Sequence, residues 1–189
     1  NVDSNGTKNS GSLPNYAETT PQEFKEQLAH VMVQYFLLKE AFVQSEVKMI
    51  SSKTQEVKYK LEEVDMSLLS GKEHMYWMDL LKNIKQYSQQ IIELQKLKEQ
   101  RKKFVFLSDN LIKALKVFGV EKDEIYIQYC PMFEDGAFWL SNQKEILNPY
   151  FGNKMLKCGE TKETIDKNFR NLIIQENNKT RTKQNIHNH

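Results

Sequence analysis

Sulfur-containing side chains in the C-terminal third of the chain form the clearest pattern that could do chemistry. Cys130 and Met132 flank Pro131, and Met155 and Cys158 follow, all within 29 residues. Thiolates and thioethers are soft ligands, which favour Cu(I) over Zn²⁺ or Mg²⁺. We therefore interpret the two cysteines and two methionines as a candidate soft-metal site. The proline restricts the backbone beside Cys130, which helps to hold a ligand loop.

Aromatic residues accompany the sulfur pattern along this part of the sequence. An apolar environment excludes water and oxidants from a soft-metal site and tunes its chemistry. We therefore expect a supporting shell around the metal. Its members are Tyr129, Pro131, Trp139, Tyr150 and Phe151.

The same two cysteines have a second interpretation, as a disulfide. Two cysteines in an exported chain usually pair. Closing the loop between Cys130 and Cys158 would stabilise the fold by roughly 3.6 kcal/mol in the chain-entropy model, and Met132 and Met155 would then be packing residues. A reversible disulfide can also be the oxidised form of a metal site, so the sequence leaves both interpretations open.

A weaker, secondary metal candidate is predicted on a helix. His74 and Met78 are four residues apart, so they share one helix face and could bind a soft metal. The alternative is packing, because methionine commonly fills gaps in protein cores. All five methionines outside the sulfur pattern fit helix packing in the same way. The basic run 96–103, which includes Arg101, is expected to be a solvated helix face.

Composition and missing motifs exclude several classes of protein. The formal net charge is +2 and lysine outnumbers arginine 24 to 3, which argues against a nucleic-acid partner. Two cysteines are too few for a four-cysteine zinc or iron–sulfur site. No Walker loop, dinucleotide-binding glycine run, zincin helix or nucleophile elbow is present, so we expect no enzymatic activity. No run of 18 apolar residues predicts a membrane span.

Four stretches with apolar residues three or four positions apart predict helices ahead of the sulfur pattern. The first opens at Pro21, with Thr20 and Glu23 spaced as a capping box. Its stripe consists of Phe24, Leu28, Val31, Tyr35, Leu38 and Phe42. The others run over 50–68, 77–94 and 104–118, with a break predicted near Gln95–Lys98.

After Gly119 the periodicity changes to that of strands. Residues 125–130 alternate, and 137–140 form a second strand, which together predict an antiparallel hairpin. Thr161–Ile165 predicts the start of a short helix that continues through Phe169 and Ile173. The fold class is therefore mainly α: a four-helix bundle-like domain with a small β-hairpin and loop region near the C-terminus.

The predicted organisation has three parts. Residues 1–20 are a flexible polar leader of linker composition, residues 21–170 are a single helical domain with the metal-site-like hairpin at 125–159, and residues 171–189 are a polar tail. The leader would suit the tether of an exported domain, attached to a lipid-modified cysteine upstream. His187 and His189 in the tail are expected to be passive.

Several segments resemble the bacterial domain-of-unknown-function family 3347. They are Tyr35–Val43, Gln100–Phe104 with Leu107-Ser108, Tyr129–Met132, Trp139–Ser141, Ile146–Gly152, and Met155 with Cys158-Gly159. In that family a small residue often follows the methionine of the Cys-Pro-Met motif. Phe133 takes its place here, which would narrow access to a metal without removing a ligand.

The resemblance implies an exported protein associated with copper or other heavy metals. Family members also occur fused to adaptor (membrane fusion) proteins of copper/silver efflux pumps, so an efflux adaptor or a metal-delivery protein is the expected partner. The function predicted is a periplasmic or extracytoplasmic Cu(I) buffer or delivery protein, with a lipoprotein anchor as one form. The alternative is a disulfide-clamped protein-interaction module that binds no metal.

Overall fold

Four α-helices precede a small antiparallel sheet in a computed structural model that describes residues 12–121 and 124–165. The helices are α1 (Gln22–Gln44), α2 (Val47–Glu62), α3 (Gly71–Glu93) and α4 (Leu97–Phe118); the strands are β1 (Ile125–Cys130), β2 (Ala137–Ser141) and β3 (Glu160–Ile165). Short 3₁₀ turns lie at Met66–Leu68 and Gly152–Lys154. The predicted class, mainly α with a minor β component, is confirmed.

Helix α1 is buried along most of its length. Every member of its predicted apolar stripe is buried, because α1 packs against α2 and also contacts β2 and both 3₁₀ turns. Full burial of one large apolar side chain stabilises the fold by about 1.5–3 kcal/mol. The stripe therefore supplies a large part of the core. Helix α4 contributes the rest of this region, and its Phe104 stacks on Phe42 with ring centroids 4.3 Å apart.

The ends of the first two helices differ from the prediction. Thr20 does not cap α1: its hydroxyl donates to the Tyr16 carbonyl at 2.8 Å, and α1 has no side-chain cap at its start. The capping-box prediction was wrong because the preceding turn uses the Thr20 hydroxyl. Helix α2 ends at Glu62 rather than near Leu68, and Asp65 starts a separate 3₁₀ turn by accepting from the Ser67 amide at 2.9 Å.

The predicted break between the last two helices is confirmed. Helix α3 ends at Glu93 and α4 begins at Leu97. The buried Gln100 amide donates to the carbonyls of Ile91 and Leu94 at 3.0 and 3.1 Å. Those carbonyls have no partner within α3, so Gln100 stabilises the end of the helix that precedes it.

The sheet has three strands in the order β2-β1-β3 rather than the two of a hairpin. Residues 160–165 form β3, so the helix predicted to start at Thr161 was wrong, and its continuation through Phe169 and Ile173 lies outside the described residues. Residues 160–165 are a strand rather than a helix because they pair with β1, which would otherwise present an unpaired edge. Helix α4 covers β2. Among the described helices, none combines the length and apolarity needed to cross a membrane.

Candidate metal site

The structure brings the two cysteines together. Cys130 is the buried last residue of β1, and Cys158 lies half-buried just before β3. Both are free thiols, and they lie near enough for Cys130 to raise the pKa of Cys158. Two residues 28 positions apart thus place two soft donor atoms near each other.

Strand pairing explains why the thiols meet. Strands β1 and β3 run antiparallel, with Tyr129 opposite Glu160. Continuing this antiparallel register by one residue places Gly159 beside Cys130. Cys158 immediately precedes Gly159 in the chain and therefore lies at the same end of the ladder. The site therefore forms at the end of the β1–β3 ladder, where the chain enters its last described strand.

Asn148 fixes the loop that leads into Cys158. Its side-chain amide donates to the Cys158 carbonyl at 2.7 Å, and its side-chain oxygen accepts from the Tyr150 amide at 2.8 Å. Its backbone amide donates to the Leu156 carbonyl at 2.8 Å. Asn148 is fully buried, so these bonds close the loop 148–158 into one unit. The sequence marked this segment only as a turn, through its Asn-Pro pair.

Arg101 ties the same loop to the helical bundle. Its guanidinium donates to the Pro149 carbonyl at 2.9 Å, the Phe42 carbonyl at 3.2 Å and the Ser45 hydroxyl at 2.9 Å. Burial lowers the pKa of this guanidinium, which nevertheless stays charged at neutral pH. The charge sits at the C-terminal end of α1, where the helix dipole favours a cation. Placing Arg101 on a solvated face was therefore wrong.

The aromatic shell is only partly the one predicted. Trp139 and Tyr150 are buried, with their rings edge to face at 5.9 Å. Phe133 stacks on Tyr150 at 4.7 Å and belongs to this shell. Burial raises the pKa of the Tyr150 phenol well above its ordinary value, and the nearby Cys130 adds to the shift. The phenol therefore stays neutral beside the thiols.

The other predicted shell residues lie further out. Pro131 is exposed and Phe151 is half-buried. The Tyr129 ring packs on the Phe138 ring at 4.6 Å. Because neighbouring residues of a strand point to opposite faces, this ring lies on the face of the sheet opposite Cys130. Only the Tyr129 backbone borders the site, through the close approach of its carbonyl to Gly159.

The two methionines differ in exposure. Met132 lies in the turn after β1 with 62% of its surface exposed. Met155 is half-buried, and its carbonyl accepts from the Cys158 amide at 3.0 Å, so one turn connects it to the cysteine. The thiol pair is thus the preformed part of the proposed ligand set. The participation of the two thioethers stays a prediction.

Electrostatics around Cys158 favour the protonated thiol. Desolvation raises the pKa of Cys158, and the neighbouring Cys130 thiol raises it further. Catalytic thiols of disulfide oxidoreductases instead have lowered pKa values. The raised pKa of Cys158 disfavours rapid thiol–disulfide exchange, and any metal bound by this thiol must displace its proton.

We expect Gly159→Ala to separate the thiols. Gly159 has φ +137°, and an added Cβ would lie 2.7 Å from the Tyr129 carbonyl and 2.9 Å from the Trp139 ring. The substitution should lower the free energy of unfolding by about 3 kcal/mol and weaken Cu(I) binding. Gly71→Ala is the control, because Gly71 has φ +53° but nothing within 4 Å. Equal Cu(I) affinities in the two variants would contradict this role for Gly159.

The secondary candidate lies elsewhere, on the first turns of α3. His74 is half-buried, and Met78 is exposed rather than packed in the core. No group of three or more His, Cys, Asp or Glu side chains suited to a metal ion occurs among the residues that the structure describes. Any metal bound there would accordingly depend on sulfur donors.

Fold and site together define a helical bundle with a small sheet that carries a preformed dithiol. Residues 31–123 match the model of the family described as Protein of unknown function (DUF3347), which supports the family resemblance for this part of the chain. The match covers most of the bundle and ends before β1, so the resemblance around the cysteines stays a prediction. No curated protein and no solved structure matches the chain.

Proposed function

We propose that this protein binds a soft monovalent metal, Cu(I), at Cys130 and Cys158. The proximity of the two thiols carries the proposal, because two neighbouring thiolates can both bond one soft ion. Cys130 is buried, as are the neighbouring aromatic residues Trp139 and Tyr150, so the inner part of the site is shielded from water.

The asymmetry of the site suits a protein that gives its metal away. Cys130 is buried and would hold the ion, whereas Cys158 is half-exposed and open to exchange. Met132, at 62% exposure, can supply a weak thioether ligand on the solvent side. A buffer or delivery role in heavy-metal handling follows, with an efflux adaptor or a metal-delivery protein as the receiving partner.

The extracytoplasmic location is part of the same proposal. It is supported by the linker-like composition of residues 1–20 and by the resemblance to exported proteins. A dithiol in an oxidising compartment is prone to disulfide formation. The raised pKa of Cys158 opposes this, because the protonated thiol is the unreactive form.

A disulfide-clamped interaction module without metal is the second candidate. It rests on the same observation, since neighbouring thiols are also placed to form a disulfide. The experiment that separates the two is a Cu(I) titration against a competing chelator, on fully reduced and on oxidised protein. One tightly held equivalent in the reduced protein, lost on oxidation, supports the metal site. No uptake by reduced protein would favour the clamp.

Cu(I) affinity is expected to rise steeply with pH. Binding must displace a proton from each thiol, and the raised pKa of Cys158 keeps that thiol protonated at neutral pH. Where both thiols are protonated, the affinity should rise by up to about 100-fold per pH unit, because two protons leave per ion. Chelator competition at several pH values measures this slope. An affinity independent of pH would mean that the thiols are not the ligands.

A further inference from the structure

A second group of soft donors lies at the start of α3, away from the cysteines. We propose that His74, Met78 and Met66 form a surface site that captures a soft monovalent cation, Cu(I) or Ag(I). The inference is independent of the proposed dithiol site. It rests on the hydrogen bonding of the imidazole and on the exposure of the methionines.

The imidazole of His74 is oriented as a metal ligand would be. Its Nδ1 lies 3.0 Å from the Met66 carbonyl oxygen. A carbonyl only accepts, so in the neutral ring the proton is on Nδ1 and the lone pair is on Nε2. No described residue is hydrogen-bonded to Nε2. Metal-ligating histidines commonly donate their other ring N–H to a backbone carbonyl in this way.

The carbonyl that holds the ring is itself fixed. The Met66 oxygen also accepts from the Leu69 amide at 3.2 Å within the 3₁₀ turn Met66–Leu68. This turn contacts the first part of α3. The ring orientation therefore depends on ordered backbone rather than on a mobile side chain.

Two methionines adjoin His74, one along the helix and one through its backbone carbonyl. Met78 follows His74 by four residues on one helix, which makes their side chains neighbours. The hydrogen bond from His74 places the backbone carbonyl of Met66 beside the ring. Met66 is 39% exposed and Met78 is 40% exposed, although methionine is among the residue types most often buried. Core packing, the expected role of these methionines, was wrong, because both residues are exposed.

The chemistry of the donors selects the ion. One imidazole and two thioethers are neutral and mostly soft, which favours Cu(I) or Ag(I) over Zn²⁺. Without a thiolate the ion would be held more weakly than at the cysteines. The two sites lie at opposite ends of helix α1. The Thr19 hydroxyl donates to the Glu73 carboxylate, so the start of α3 lies near the start of α1. Arg101 instead donates to Ser45, just after the end of α1. The two sites therefore cannot share one ion.

The test is an Ag(I) titration of the full chain carrying Cys130→Ser and Cys158→Ser, with ¹³C-methyl methionine and ¹⁵N-histidine labels. We expect saturable shifts of the Met66 and Met78 methyl signals and of the His74 Nε2 signal. His74→Gln should weaken Ag(I) binding by at least about tenfold. If the serine variant fails to fold, the same signals are followed in reduced wild type beyond the first equivalent of Ag(I).

Two matched controls make the outcome decisive. Met49→Leu removes a methionine with 41% exposure that lies about 20 Å away along α2, and it should leave the binding unchanged. His187→Gln with His189→Gln should also leave it unchanged. Equal shifts of the Met49 and Met78 methyl groups, or loss of binding only in the tail variant, would overturn the site. In the serine variant either result leaves the cysteine proposal untouched, because the thiols are absent from that protein; in reduced wild type the first equivalent of Ag(I) occupies them.

Discussion

Replacing Cys130 and Cys158 by serine together is expected to abolish tight Cu(I) binding. A serine hydroxyl is a hard donor and stays protonated at neutral pH, so it cannot replace a thiolate. Each single replacement should weaken binding at least about 100-fold, which corresponds to about 2.8 kcal/mol. Competition with a Cu(I) chelator measures all three variants. The near-isosteric change keeps the side-chain volume and isolates the role of sulfur.

The methionines provide the graded control for this result. Met132→Leu and Met155→Leu keep both thiols, so each should weaken binding less than either cysteine replacement. Met132 is the more exposed of the two, and its loss should mainly slow transfer to an acceptor chelator. Retention of tight Cu(I) binding by the double serine variant would refute the proposed function outright.

Arg101→Met is expected to cause a large loss of stability. The guanidinium makes three hydrogen bonds, to Pro149, Phe42 and Ser45, and methionine would leave these buried groups without that donor. A hydrogen bond that involves a charged group contributes about 1.5–3 kcal/mol. We expect the free energy of unfolding to fall by roughly 3 kcal/mol. Urea denaturation of the reduced, metal-free protein measures this change.

Loss of Arg101 should also weaken the metal site. The loop that Arg101 holds contains Asn148, which in turn holds the Cys158 carbonyl. Lys102→Met is the neighbouring control. Lys102 is partly exposed, and its ammonium group forms a long ion pair with the Glu134 carboxylate at 3.7 Å. Such an exposed pair contributes at most about 1 kcal/mol. If Arg101→Met were no less stable than Lys102→Met, the loop would not depend on this anchor.

Local periodicity predicted the helical part of the fold well. The stripe from Phe24 to Phe42 and the break near Gln95 depend on neighbouring residues in the sequence, and both are confirmed. Strand β3 could not be recognised in the same way. Its residues Glu160–Ile165 are mostly polar, and their extended form depends on pairing with β1 over 30 residues earlier.

The sequence pattern singled out the two cysteines that the structure places near each other, but not the residues that hold them in position. The Cys130 and Cys158 pattern was visible because soft donors are few and clustered in this sequence. Arg101 looked like one member of a basic run, since its partner Pro149 is 48 residues away. Helical spacing also misassigned Met66 and Met78, because periodicity shows which residues share a face but not whether that face is covered.

X-ray absorption at the copper edge of the protein loaded with one equivalent of Cu(I) tests the central claim most directly. The dithiol site predicts a first shell made only of sulfur, which is lost in the Cys130→Ser, Cys158→Ser variant. A nitrogen or oxygen donor in the first shell of the wild-type complex, or a spectrum unchanged by the double replacement, would contradict it.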